Sequence, residues 1–172
     1  MSDNRNIINY YKYWETEAIK ADLDQKRNNF SILITNHFND FNIGSVIRNS
    51  NAFLAKTIYM LGRKRFDARG TVGTHHYEKI VHLDSLDELD KSFKLIAFDD
   101  LAEAKPLDEY SWDFNTHTVM CFGQESIGLT KEVIEKCHDK VYIKQFGSVR
   151  SLNVGCASGI AMYDYTSKKL KT

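Results

Sequence analysis

Three short stretches of this 172-residue chain carry the side chains whose types and spacing could do chemistry. The first is Asn36-His37-Phe38-Asn39-Asp40-Phe41-Asn42-Ile43-Gly44-Ser45-Val46-Ile47-Arg48. Asn42 suits a helix N-cap, because its side-chain oxygen accepts from free backbone N–H groups. Arg48 falls in an otherwise apolar run (Val46, Ile47, Ala52, Phe53). A guanidinium there must reach an acceptor or solvent, since a buried unpaired charge is very costly. A capped helix whose arginine makes an ordinary salt bridge accounts for the same residues.

The second stretch is Cys121-Phe122-Gly123-Gln124-Glu125-Ser126-Ile127-Gly128-Leu129-Thr130. It resembles a phosphate-binding loop, but Leu129 stands where the phosphate-binding lysine must be. It also fails as a nucleophile elbow, because Gln124 occupies a position that needs glycine. What remains is a tight turn that brings backbone close to a ligand. Glu125 is its hydrogen-bond acceptor, and a plain strand-to-helix turn with a solvated glutamate is the alternative.

The third stretch is Ile143-Lys144-Gln145-Phe146-Gly147-Ser148-Val149-Arg150-Ser151-Leu152-Asn153-Val154. Ser151 and Asn153 sit at the expected start of the last helix, where unpaired N–H groups favour polar ligand atoms. Read structurally, Ser151 is a cap and Asn153 a satisfied polar residue. The small residues Gly155, Ala157, Ser158, Gly159 and Ala161 predict a closely enclosed helix. Elsewhere, Arg63, Lys64, Arg65 and Arg69 form the one dense basic cluster; a solvated face is its default reading, and it is also where phosphate contacts are expected. His75, His76 and His82 lack a Cys or carboxylate at ligand spacing, so no metal is expected.

The elements that must position these stretches follow from periodicity. Ile7, Tyr11, Trp14 and Ala18 recur at helical spacing and predict an amphipathic N-terminal helix. Short apolar strands are expected at 30–35, 57–61, 79–83, 95–98, 118–122 and 140–143. Helices are expected at 43–54, 85–91, 130–137 and 152–169. That alternation predicts an α/β fold, a parallel sheet with helices on both faces. Such sheets bind ligands beyond the C-terminal ends of their strands, where all three stretches fall.

Composition bounds the rest. Hydrophobic residues make up 42% and charged residues 27%, a globular composition. Pro106 is the single proline, no linker is apparent, and residues 1–172 read as one domain with 1–29 as a helical extension. Lys plus Arg equals Asp plus Glu at 23 each, which argues against a bulk polyelectrolyte binder but allows a local basic patch. Cys121, Cys137 and Cys156 form no Cys-x-x-Cys pair, so neither a disulfide framework nor a zinc knuckle is expected. No segment approaches the roughly 20 apolar residues of a membrane span. A cytoplasmic protein without membrane partners is the expectation.

Taken together and in order, the three stretches resemble the motifs of the SpoU (TrmH-like) family of RNA 2′-O-ribose methyltransferases, in the SPOUT superfamily. Asn42, Gly44 and Arg48 match the first motif, and Phe122, Gly123, Glu125, Gly128 and Leu129 the second. Ser151, Leu152, Asn153 and Val154, followed by a small-residue helix, match the third. The likeness runs from about Phe30 to the C-terminus. Two positions depart: Lys144 replaces the family's usual proline, and Leu54 replaces a glycine that often follows Phe53.

The resemblance implies a C-terminal deep trefoil knot, which general topology rules would not suggest. It implies a homodimer, and S-adenosylmethionine bound in the knot near Phe98, Gly123, Ile143 and Leu152. It places Arg48 at the catalytic centre, acting with a substrate phosphate. Asn42, Glu125, Ser151 and Asn153 would hold the ribose, Arg48 and the cofactor in attack geometry. Arg150 before Ser151 is found in many TrmH-like tRNA enzymes, and only 29 residues precede the first strand. A tRNA D-loop guanosine is therefore the favoured target, ahead of the tRNA wobble nucleotide and ribosomal RNA. A dinucleotide oxidoreductase would need Gly-x-Gly-x-x-Gly after the first strand, which is absent. A non-catalytic RNA-binding relative would lack the five polar motif residues present here.

Overall fold

The computed structural model describes residues 3–37, 42–125 and 127–172. Residues 38–41 of the first stretch and Ser126 of the second lie outside the described residues. Among the described residues, seven strands form one sheet in the order β3-β2-β1-β6-β4-β7-β5, and each pairing between them is parallel. They are β1 (Phe30–Asn36), β2 (Ile58–Gly62), β3 (Ile80–Leu83), β4 (Lys94–Phe98), β5 (Lys105–Pro106), β6 (Thr118–Phe122) and β7 (Asp139–Tyr142). Six match the expected strands within one residue at each end. The two-residue β5 was too short to leave a pattern. The chain builds β2 and β3 outward from β1, then crosses over. Later, β6 fills the place between β1 and β4, and β7 enters between β4 and β5.

Burial on both faces explains the near-continuous apolar strands. Phe30, Ile32 and Ile34 of β1 point to one face, where α2 (Asn42–Ala52) and α4 (Val154–Lys169) pack. Leu33 points to the other, with Leu86, Leu129 and Val133, the last from α3 (Lys131–Lys136). The helix expected over 85–91 is instead a single 3-10 turn, Leu86–Glu88. Ser85 and Glu88 start it with a capping box. Leu89 is already extended, and Asp90 turns its carboxylate onto the Ser92 N–H (2.9 Å).

The continuous N-terminal helix is also corrected. A 3-10 turn, Asn9–Tyr11, is separated from α1 (Thr16–Asp24) by Tyr13, whose φ of 69° is left-handed. The Tyr13 N–H donates to Asp3 Oδ2 (2.9 Å), an interaction a straight helix would not allow. Helical spacing here is satisfied by a compact cluster of Tyr11, Ile19, Leu23 and Tyr77, against which Ile7, Trp14 and Leu54 pack. Arg27 ties the extension to the end of α2. Its guanidinium donates to Glu78 Oε2 (2.7 Å) and to the carbonyls of Ala55 and Tyr77 (both 2.9 Å), while Asn51 donates to Glu78 Oε1 (2.6 Å).

Candidate active site

The three stretches meet at the C-terminal edge of the sheet. Asn42 Nδ2 donates to Glu125 Oε2 (2.5 Å), and Asn153 Nδ2 donates to Asn42 Oδ1 (2.8 Å). Asn153 Nδ2 also lies 3.4 Å from both Glu125 oxygens. Residues up to 111 positions apart in sequence thus close a triangle of two carboxamides and a carboxylate.

Each corner is fixed by its own element. Asn153, not Ser151, is the N-cap of α4: its Oδ1 accepts from Gly155 N (2.9 Å) and Cys156 N (3.3 Å). Both ends of one carboxamide are therefore used, one for the helix and one for the site. Glu125 stands on a turn in which Gly128 N donates to Gln124 O (2.7 Å). A Cβ on Gly123 would lie 2.0 Å from the Gly128 carbonyl carbon. That glycine is demanded by the turn's own closure. Asn42 opens α2, where a Cβ on Gly44 would lie 2.5 Å from the backbone of Gly70.

Sequence reasoning missed two residues that hold this arrangement. Gln124, noted only for spoiling a nucleophile elbow, is buried. Its N–H donates to Thr35 Oγ1 (3.1 Å) and its Oε1 accepts from His37 N (3.1 Å), locking the Glu125 turn onto β1. Asn49 donates to Gly155 O (2.7 Å) and Ser158 Oγ (3.1 Å), joining α2 to α4. Its signal was spacing: Asn42, Ser45 and Asn49 fall on one helical face, opposite the small residues of α4.

Arg48 and Ser151 are not drawn into the triangle. Arg48 is exposed on α2, with no hydrogen-bond or ion-pair partner among the described residues. The ordinary salt bridge is thus replaced by a guanidinium open to solvent. Ser151 instead lines a cleft of about 100 Å³ beside the triangle. Phe98, Ile143 and Leu152 line the same cleft, with Asp99 and Asp100 at the end of β4. Gly123 does not line it, but its turn abuts: a Cβ on Gly128 would lie 3.2 Å from Asp99 Oδ2.

The cleft suits a nucleoside-bearing ligand in its chemistry. Phe98, Val141, Leu152 and Ala157 offer apolar walls, and two carboxylates offer acceptors for hydroxyl or ammonium groups. Among the described residues, the backbone from Gln145 to Leu152 makes no backbone–backbone hydrogen bond, and its one side-chain partner is Gln145 Nε2, which donates to the Arg150 carbonyl (3.3 Å). Lys144 at the lip donates to Glu109 (2.7 Å) and Asp108 (3.0 Å). Those carboxylates hold its ammonium well above the ordinary lysine range. Among the described residues no group of three His, Cys, Asp or Glu could hold a metal ion. His75 is engaged with Thr71 Oγ1 (2.5 Å), and burial lowers its pKa.

Comparison with known proteins speaks to family and fold. The SpoU rRNA Methylase family matches residues 29–163. A tRNA (guanosine(18)-2′-O)-methyltransferase of Aquifex aeolicus is 26% identical over 157 residues, covering 86% of this chain and 74% of that protein. The 23S rRNA (guanosine-2′-O-)-methyltransferase RlmB of Acinetobacter baylyi is 34% identical over 68 residues, 40% of this chain and 27% of that protein. The crystal structure of the A. aeolicus TrmH/SpoU tRNA modifying enzyme superposes with a TM-score of 0.77 at 22% identity, covering 91% of this chain and 83% of that one. The SpoU methyltransferase AviRb from Streptomyces viridochromogenes, solved with AdoMet, gives 0.72 at 23% identity over 84% of this chain. This chain spans 59% of that structure's length. At these identities the structural likeness shows the fold.

Proposed function

The chain belongs to the SpoU rRNA methylase family, and on that premise we propose that it is an S-adenosylmethionine-dependent enzyme that methylates a ribose 2′-hydroxyl of RNA. The observation that carries this reading is the triangle of Asn42, Glu125 and Asn153, one residue from each motif, beside a cleft lined by Phe98, Ile143 and Leu152. When bound, S-adenosylmethionine supplies an electrophilic methyl group.

The chain's own residues do the rest. The apolar walls of the cleft hold the nucleoside, and the backbone of 145–152 orients it. Asn42, Glu125 and Asn153, with Ser151 on the shared wall, fix the ribose against the cofactor site, a positional advantage worth several kcal/mol. A guanidinium offers donors and no acceptor, so Arg48 is no general base alone. It binds a substrate phosphate beside the hydroxyl, whose proton passes to solvent water as the new O–C bond forms. The 2′-hydroxyl as acceptor selects RNA over DNA.

The finer assignments belong to the same proposal. Residues 1–172 act as one methyltransferase unit with 1–29 as an extension. A tRNA D-loop guanosine is the favoured target, with the wobble nucleotide and ribosomal RNA behind it. The insertion of β6 and β7 between earlier strands supports the expected knot, as does Lys168 of α4 reaching the carbonyls of Leu107 and Tyr110 (2.8 and 3.0 Å). The exposed apolar face of α4, with Ile160 and Tyr163, and Phe53 against Tyr163, supports a homodimer. No helix among the described residues is long and apolar enough to cross a membrane. A cytoplasmic location beside its RNA belongs to the same proposal.

Incubation with tritiated S-adenosylmethionine and unmodified tRNA, ribosomal RNA or DNA tests the reading. Label is expected in tRNA as a 2′-O-methyl ribose. Label in ribosomal RNA would replace the target, and label in no RNA would overturn the function. Arg48→Ala is expected to abolish transfer while cofactor binding persists; normal turnover would remove Arg48 from the mechanism.

A further inference from the structure

Asn36 closes β1 and is fully buried, yet its side chain serves a loop rather than the sheet. Its Nδ2 donates to the carbonyls of Arg63 (2.8 Å) and Arg65 (2.9 Å). Its own backbone carbonyl accepts from Arg63 N (2.8 Å). The turn bends around it at Gly62, whose φ of 108° is left-handed and whose Cβ, if present, would lie 2.8 Å from Asn36 O. Two carbonyl acceptors fix which end of the carboxamide faces the loop. The other end, Oδ1, is buried without a hydrogen-bond partner among the described residues. An unpaired buried acceptor is costly. Its persistence indicates that the donors on the opposite side are what the position requires.

The loop so held is Arg63-Lys64-Arg65, all three exposed. Its other flank is also fixed, because the Gly70 backbone is pressed against Gly44, two residues from Asn42. Three consecutive cations are therefore set at a fixed place relative to the site, on a chain whose formal net charge is zero. Local charge of this kind is what phosphate affinity draws on.

We infer that Asn36 is a positioning residue for the substrate: by pinning Arg63-Lys64-Arg65 it sets the phosphate contacts that dock RNA beside Asn42. This rests on the RNA-methylating reading, but RNA affinity can be measured without turnover, so the two fail separately. The probe is a fluorescein-labelled unmodified tRNA transcript, titrated for Kd, alongside methyl-transfer kinetics and S-adenosylmethionine affinity. R63Q/K64Q/R65Q changes only exposed side chains, and a rise in RNA Kd and KM of tenfold or more is expected, with a shallower salt dependence. Asn36→Ala is expected to raise both about tenfold, with kcat and cofactor affinity unchanged. Added to the triple variant, it should cost nothing further. Gly62→Ala perturbs the same turn from its other side and should act alike, so a poorly folding Asn36→Ala leaves the inference testable. RNA affinity unchanged in the triple variant, or an Asn36 effect additive to it, would overturn the inference. Intact RNA affinity without methyl transfer would instead strike the proposed reaction alone.

Discussion

Asn153 offers the sharpest test of the site, because two substitutions separate its two duties. Asn153→Ala removes both. Loss of the cap to Gly155 N and Cys156 N costs about 1 kcal/mol, and loss of the 2.8 Å bond to Asn42 about 1 more. For a chain of this size, a total near 2 kcal/mol lowers Tm by roughly 4–8 °C. Asn153→Asp keeps the cap, since aspartate is equally good there and its charge suits a helix N-terminus. It replaces the bridging donor by a second carboxylate where Nδ2 now lies 3.4 Å from Glu125. Both side chains face solvent, so the high-dielectric figure of about 1 kcal/mol applies to their repulsion. Urea denaturation of wild type and both variants at pH 7 measures this. Methyl transfer should fall about a hundredfold in each, because both lose the donor that orders Asn42 and Glu125. An Asp variant as stable as wild type at pH 7, or one that turns over normally, would refute the bridging role. An undiminished Ala variant would refute the cap.

Three further outcomes follow from contacts around the site. Gly44→Ala places a Cβ 2.5 Å from the Gly70 backbone and should cost about 1–3 kcal/mol, read as a lowered urea midpoint together with lost transfer. Arg27→Ala strands the buried Glu78 carboxylate and should cost about 3–5 kcal/mol at pH 7. Burial raises the Glu78 pKa, so the folded state takes up a proton as pH falls through that raised value. Stability contributed this way grows on acidification towards the unfolded value, and the Arg27→Ala defect should shrink between pH 7 and pH 5; a constant defect would contradict it. Leu54→Gly removes left-handed strain of about 1–2 kcal/mol but gives up a half-buried side chain of similar worth, so thermal unfolding should move little.

The sheet was legible because strands buried on both faces leave apolar runs that turns interrupt. The three corners of the site were legible as residue types. How they join was not. Asn153 and Ser151 look alike as caps, and only the approach of Asn42 and Glu125 from elsewhere in the chain decides that Asn153 serves both helix and site. Gln124 and Asn36 were hidden for the same reason: their partners, Thr35 and His37 for one and Arg63 and Arg65 for the other, are chosen by strand register. Tyr13 breaks the N-terminal helix through a carboxylate ten residues upstream, which periodicity within the segment does not register.

The two departures from the family pattern each find their reason in local contacts. At Leu54 the backbone is left-handed (φ 56°), which explains why glycine is usual. The helix end is otherwise complete, with Ala55 N donating to Ser50 O (2.8 Å) and Leu54 N to Asn51 O (3.1 Å). Leucine is tolerated because its side chain packs against the cluster that the N-terminal extension builds around Tyr11, Ile19, Leu23 and Tyr77. At residue 144 a proline would stiffen the exit from β7 through its fixed φ. Lysine cannot do that, but its ion pairs to Asp108 and Glu109 tether the same point to the turn after β5. A covalent restraint on the lip of the cleft is thereby exchanged for an electrostatic one, which salt weakens. Neither departure touches the triangle of Asn42, Glu125 and Asn153.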